Sequence, residues 1–300
     1  MKKISFIKSN DRKYNIERCL SLIKSEVMAG LKTAKNIVIK PNCDSESIKL
    51  ASTHVDALEA VLQFIRPLTK GEITVAEGTS DGRTMTAFKN FGYFSLQDRY
   101  GFAVCDLNTD DTASFVLQND DGGTWEAKIA KTILETDCLI SVSPPKTHDG
   151  VLYTGAANNI AVGALTRKDY VLLSNPLARQ FSKMLGLNKN YKSILNKNAE
   201  KISANIIKLY KNIPTKLAVI DGFESMEGNG PIEGELVPSH FAIASSDPIA
   251  ADWLASQLMG IDPKRIEYLS PLLDDNSRSY FVVGDDWQNN IRKFRLPSKF

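Results

Sequence analysis

The stretch Val142-Ser-Pro-Pro-Lys-Thr-His-Asp-Gly150 carries an apolar run straight into a cation, an imidazole and a glycine, and it holds the side chains best suited to chemistry. Two prolines stiffen the exit and hold Lys146 and His148 in place. Imidazole titrates near neutral pH, so His148 is a candidate general acid/base, metal ligand or donor to an anion; an ordinary hydrogen-bonded histidine is the alternative. Thr154-Gly-Ala-Ala-Asn-Asn-Ile-Ala-Val-Gly163 follows, where Gly155 lets backbone approach a ligand and Asn158 or Asn159 can donate and accept hydrogen bonds.

Other polar segments repeat this grammar. Lys40-Pro-Asn-Cys-Asp-Ser45 ends an apolar run and makes Lys40 and Asn42 candidates for substrate binding. Ala51-Ser-Thr-His-Val-Asp56 opens a helix with Ser52 or Thr53 as its predicted cap, which turns His54 toward the same end of the sheet. In Glu77-Gly-Thr-Ser-Asp-Gly-Arg-Thr84, Glu77 could hold a metal or act as a base, and Arg83 could fix a carboxylate or phosphate. Downstream, Ile220-Asp-Gly-Phe-Glu-Ser-Met-Glu-Gly-Asn-Gly-Pro-Ile-Glu-Gly234 reads as an acid-rich glycine turn. It supplies Asp221 as a metal candidate, Glu227 as a catalytic partner of His148, and Asn229 as a substrate contact. Ser246-Asp-Pro starts a helix in which Asp252, among Ala250, Ala251 and Trp253, is a carboxylate that needs a partner and a third metal candidate after Glu77 and Asp221.

These loops need a scaffold, and the pattern around them supplies one. Ile4–Ile7, Asn36–Lys40, Glu72–Ala76, Cys138–Val142, Lys216–Ile220 and Phe241–Ala244 are short runs rich in β-branched residues, and Tyr14–Leu31 and His54–Leu68 have helical spacing. Continuous apolar runs alternating with helices predict an α/β fold, a mostly parallel sheet covered by helices. Residues around Asp120-Asp-Gly-Gly123 predict a hairpin at the sheet edge. From Thr166 to Lys216 there are eleven Lys or Arg against Asp169 and Glu200, and the spacing of Leu195, Ala199, Ile202, Ile206 and Leu209 is amphipathic. The chain therefore divides into a first core part (1–165), a basic helical insertion or lid (166–214) and a second core part (215–300).

The set Lys40-Pro-Asn, Pro145-Lys-Thr-His148, Thr154-Gly-Ala with Asn159 and Gly163, Asp221-Gly with Met226-Glu-Gly-Asn-Gly-Pro231, and Asp247-Pro with Ala251-Asp252 resembles the domain-of-unknown-function 362 family. Some of its members carry iron–sulfur modules, so the resemblance implies redox chemistry and a redox partner protein. Cys19, Cys43, Cys105 and Cys138 are too scattered for an iron–sulfur cluster within this chain. The family pattern has Lys-Asn where this chain has Asn158-Asn159. A more distant similarity is to the nickel-pincer lactate racemase group, which implies that Lys146 and His148 are acid/base or cofactor contacts.

No apolar run approaches the roughly 18 to 20 residues of a spanning helix, and the basic start lacks a secretory pattern, so a cytoplasmic protein is expected. Cys19, Cys105 and Cys138 read as core residues, and Cys43, in its polar loop, is the one thiol to weigh for reactivity, with an unreactive thiol as the favoured reading. Together these features predict an enzyme, an oxidoreductase or isomerase, acting on a small anionic organic substrate, with a divalent metal as a candidate cofactor. The alternative is a non-catalytic binding or scaffold protein whose basic segment docks on nucleic acid or an anionic membrane surface.

Overall fold

A computed structural model describes residues 2–119, 122–174, 190–273, 279–298 and 300, with backbone only over 190–198. Twelve strands are β1 Lys2–Lys8, β2 Asn36–Lys40, β3 Glu72–Glu77, β4 Ala103–Asp106, β5 Thr112–Gln118, β6 Thr124–Ala130, β7 Cys138–Ser143, β8 Lys146–His148, β9 Leu152–Thr154, β10 Thr215–Asn229, β11 Glu233–Ser245 and β12 Tyr280–Gly284. The main sheet runs β12-β1-β11-β10-β7-β2-β3-β4, with β8 and β9 attached to the far end of β10. Its centre, β10-β7-β2-β3-β4, is parallel, and β11 enters antiparallel to both β10 and β1. The protein is an α/β fold with a mostly parallel mixed sheet wrapped by helices.

Both faces of the centre are covered. Ile37, Ile39, Val75, Ile140 and Val219 face one apolar cluster with the helices Arg12–Leu22 and Val55–Ile65. The alternate residues Val38, Ala76, Leu139, Ala218 and Ile220 face a second cluster, which takes in the helices Ala156–Ala161 and Pro248–Leu258. Strands buried on both faces are apolar throughout, which is why they read as continuous runs.

Strand order reverses at β2: the chain moves outward through β3 and β4, then returns to place β7 on the other side of β2. A crevice opens where such a reversal occurs, at the carboxyl ends of the strands, and this is where parallel sheets hold ligands.

Several expectations are refined. The helical stretch Tyr14–Leu31 is two helices, Arg12–Leu22 and Lys24–Leu31, because Ile23 at φ −116°, ψ 25° leaves the helical region. The hairpin around residues 120–123 is a separate two-stranded sheet, β5-β6, although Asp120 and Asp121 lie outside the described residues. The acid-rich glycine segment from Asp221 is not an open turn. It continues β10 and pairs along its length with β11, down to Asn229 opposite Glu233.

The basic insertion forms the helices Arg167–Ser174 and Asn190–Tyr210; the expected lid element through Leu187 lies outside the described residues from 175 onward. Its described part is tied down. Asp169 is buried and accepts hydrogen bonds from Trp125 Nε1, the Lys128 amide and Thr166 Oγ1 at 2.9–3.0 Å. Asn205 pairs with the main chain of Gln118 in both directions at 2.9 Å. Among the described residues no helix is long and apolar enough to cross a membrane.

Candidate functional site

At the end of β2, Lys40 has no exposed surface. Its Nζ lies 2.6 Å from Glu77 Oε2, at the end of the adjacent strand β3, and donates to Asn159 Oδ1 at 3.0 Å. Asn159 Nδ2 in turn donates to Ser141 Oγ of β7 and to the Lys40 carbonyl, so one amide closes the reversal point from above. Gly163 has to be glycine here, because a Cβ would collide with the Lys40 ammonium. Taking an ammonium and a carboxylate out of water costs several kcal/mol per ion, so each depends on the other and on the surrounding hydrogen bonds.

A second lysine nest sits beside the first. Lys146 Nζ, on β8 and 1% exposed, meets Asp44 Oδ2 at 2.5 Å, Asn42 Oδ1 at 2.7 Å and the Ala51 carbonyl at 2.8 Å. Asn42 Nδ2 also donates to Asp44 Oδ1 at 3.0 Å. Thr53 stitches the two exit loops together: it accepts from the Asn42 amide and donates to the Val142 carbonyl.

The two carboxylates titrate in opposite directions. Burial is the largest influence on both, and it raises the Glu77 pKa above its ordinary value even with Lys40 beside it. For Asp44 the Lys146 charge, with hydrogen bonds from Lys146 and Asn42, outweighs burial and leaves the pKa lowered. His148 Nδ1 accepts from the Gly150 amide at 2.8 Å, which leaves the imidazole proton on Nε2.

One cavity of about 50 Å³ opens over this floor, lined on its polar side by Asn42, Asp44, Glu77, His148, Asn158 and Asn159. The lysines themselves stay below the lining: they set the charge of the floor. Lys40, Asn42, Glu77, Lys146, His148 and Asn159, singled out from sequence in four separate segments, therefore meet in one place. Asn158 was paired with Asn159 as a hydrogen-bonding candidate, whereas Asp44 was quoted within its motif without a role, and its signal was its place in the loop, four residues past Lys40.

The remaining candidates act elsewhere. His54, rather than Ser52 or Thr53, caps the helix Val55–Ile65, accepting from the Asp56 amide at 3.1 Å. The side chain is about half exposed, and burial, followed by the Arg12 charge, lowers its pKa. Arg83 is exposed, with its amide on Glu46. Asp221 is buried against Arg12 at 3.2 Å, where burial pushes its pKa up to about 6. Glu227 and Asn229 accept the amides of Arg295 and Ser298 and pin the C-terminal segment. Asp252 is fully buried and caps the helix carrying Asn158 and Asn159, accepting from the Ala156 and Ala157 amides at 2.7 and 2.9 Å and from Tyr153 OH at 3.0 Å. Burial raises its pKa to about 7. Cys43 is 1% exposed, and burial pushes its thiol pKa well up, which suits an unreactive core thiol.

The glycine-rich arm of β10 has a positioning role. Met226 pairs with Lys146, Thr147 Oγ1 donates to the Gly228 carbonyl at 2.8 Å, and the Asp149 amide donates to the Gly230 carbonyl at 2.9 Å. A Cβ at Gly230 would collide with the Thr147 carbonyl, so the close approach requires glycine. Among the described residues no three His, Cys, Asp or Glu side chains group as a metal ion would need, and Lys146 is saturated by its three acceptors.

The chain is 20% identical over 276 residues to a thylakoid-associated protein of Synechocystis sp., covering 89% of this chain and 77% of that one. Its fold is similar to the lactate racemase apoprotein of Thermoanaerobacterium thermosaccharolyticum, with a TM-score of 0.51 and 16% identity over 87% of this chain. The chain spans only 57% of the racemase chain. A Thermotoga maritima protein of known structure aligns at a TM-score of 0.49 with 12% identity, over 89% of this chain and 60% of that one. The family described as Domain of unknown function (DUF362) matches residues 37–257, which run from β2 to the helix Pro248–Leu258, and the chain belongs to that family.

Proposed function

We propose that the cavity is the active site of an enzyme that moves a proton on a small organic molecule carrying hydroxyl and carbonyl oxygens. The observation that supports this reading is the pair of carboxylates on one floor, Asp44 and Glu77, each held by its own buried lysine and shifted in opposite directions. Environments that push two carboxyl groups apart in acidity are how a site assigns one as base and the other as acid. Asp44, kept ionised, accepts the proton; Glu77, the more readily protonated, returns one. His148 places its imidazole in the lining beside a developing oxyanion, and the Asn42 and Asn158 amides orient the oxygens.

Isomerisation asks only for removal and return of a proton, so this floor supports the isomerase side of the two reactions expected from sequence. Because each lysine is paired, the site is close to neutral, and hydroxy acids are the first class to test on the strength of the fold likeness to lactate racemase. The test is NMR of D- and L-lactate in deuterated buffer. Exchange of the C2 hydrogen, reduced at least a hundredfold in Asp44→Asn and Glu77→Gln, is the expected result. A panel of hydroxy acids that neither exchange nor raise the melting temperature would overturn the reading.

A second reading, association with an anionic membrane surface, draws on the name of the thylakoid-associated relative. Among the described cations of the insertion, Arg167 donates to the Thr79 and Gly82 carbonyls and Lys201 is buried, whereas Lys168, Lys208 and Lys211 are exposed. Flotation with anionic lipid vesicles separates the two readings.

A further inference from the structure

Beside its polar groups the cavity is lined by Val151, Val162, Leu165, Tyr170, Leu173 and Ile202. Val151, Leu165, Leu173 and Ile202 belong to the same packed apolar cluster, and Leu173 and Ile202 are 0% and 6% exposed. Tyr170, Leu173 and Ile202 come from the basic insertion. That part of the lining is fixed to the body of the chain by Asp169 on the β5-β6 hairpin, Arg167 on the Thr79 carbonyl at 2.9 Å, and Asn205 on Gln118.

We infer that the substrate of this site carries a short apolar tail beside its oxygen-bearing head, and that Leu173 and Ile202 of the insertion select for that tail. The argument rests on the proposed function for the head. For the tail it rests on the lining, which combines hydrogen-bonding groups with hydrocarbon side chains. Oxygens placed against Leu173 and Ile202 would lose water without gaining a partner, whereas methylenes placed there are removed from water at a gain. The volume of about 50 Å³ sets the length, since it holds roughly three to five water-sized groups. The insertion, unexplained by the polar motifs, thereby acquires a role as the specificity wall of the site.

The experiment is isothermal titration of the full chain with two series of equal tails: glycolate, lactate, 2-hydroxybutyrate and 2-hydroxyvalerate, and the matching uncharged amides. Affinity should rise about fourfold for each added methylene until the cavity is full, then level or fall. In Leu173→Ala, checked for folding by circular dichroism, the optimum should move to a longer tail and the gain per methylene should shrink. Ile202→Ala repeats the measurement from the other helix, and the wild-type series decides alone should both variants fail to fold. Binding that is flat or falls from the first added carbon overturns this inference while leaving the polar floor as a binding site. Absence of binding by either head at every length overturns the proposed function as well.

Discussion

Lys40 and Lys146 are equally buried and each meets a carboxylate, an asparagine oxygen and a main-chain carbonyl, yet their partner carboxylates shift in opposite directions. The difference lies on the acidic side. Glu77 is 3% exposed and receives its help from Lys40 and the Gly78 amide, whereas Asp44 keeps 21% of its side chain in reach of water and gains an amide from Asn42 as well. Two nests of similar chemistry thus shift their carboxylates in opposite directions through the partners of each carboxylate, with the depth of the lysine held constant.

The strongest way to break that symmetry is Glu77→Ala, which strands a buried ammonium and should cost about 3–5 kcal/mol in urea unfolding, with Lys40→Met/Glu77→Leu recovering most of it. Lys146→Met should cost less, about 1–3 kcal/mol, because water reaches Asp44. Carboxyl-carbon NMR of this variant should show the Asp44 pKa rising toward 3.8, its ordinary value. The pH signs sharpen the contrast. Asp44, lowered when folded, contributes stability above about pH 4 that is lost as pH falls through its folded value. Glu77, raised when folded, contributes stability below about pH 4.5 that is lost as pH rises through its folded value.

Asp252 follows the sign of Glu77. With its pKa raised from 3.8 to about 7, its contribution is full at acid pH and fades as pH rises through that window. Asp252→Asn should cost roughly 1–2 kcal/mol as a helix cap and flatten stability against pH between about 4 and 7, measured as wild type minus variant. Last, His54→Ala should cost about 0.5–1 kcal/mol for its cap and leave lactate exchange unchanged, separating a histidine beside the site from His148 within it.

The strands and the crevice were legible because a doubly buried parallel strand is apolar at every position and ends abruptly in a polar loop. That rule led to Lys40, Glu77 and Lys146 without knowledge of their neighbours. It could not show that the lysines would face their carboxylates from beneath the lining, since pairing depends on strand order. Glu227 and Asn229 looked functional because acids among glycines are costly filler, but they serve residues 295 and 298, nearly seventy positions away. Asp252 was rightly read as a buried carboxylate in need of a partner; the partners are main-chain amides of another helix. The apolar wall was invisible for the opposite reason: Leu173 and Ile202 look like any core residues, and nothing in their spacing tells a core from a cavity.

The sheet also sets a timetable for synthesis. β1 pairs only with β11 and β12, so Ser5 waits for Ala244, 239 residues later, before its hydroxyl finds that carbonyl. At ribosomal speeds of about 5–20 residues per second, an apolar strand trails from the nascent chain for roughly ten to fifty seconds, without the edge it is built to fill. β1 is therefore among the last of the described strands to be paired, so the parallel centre around the lysine nests can assemble while the outer sheet is still a client for the cell's holding chaperones.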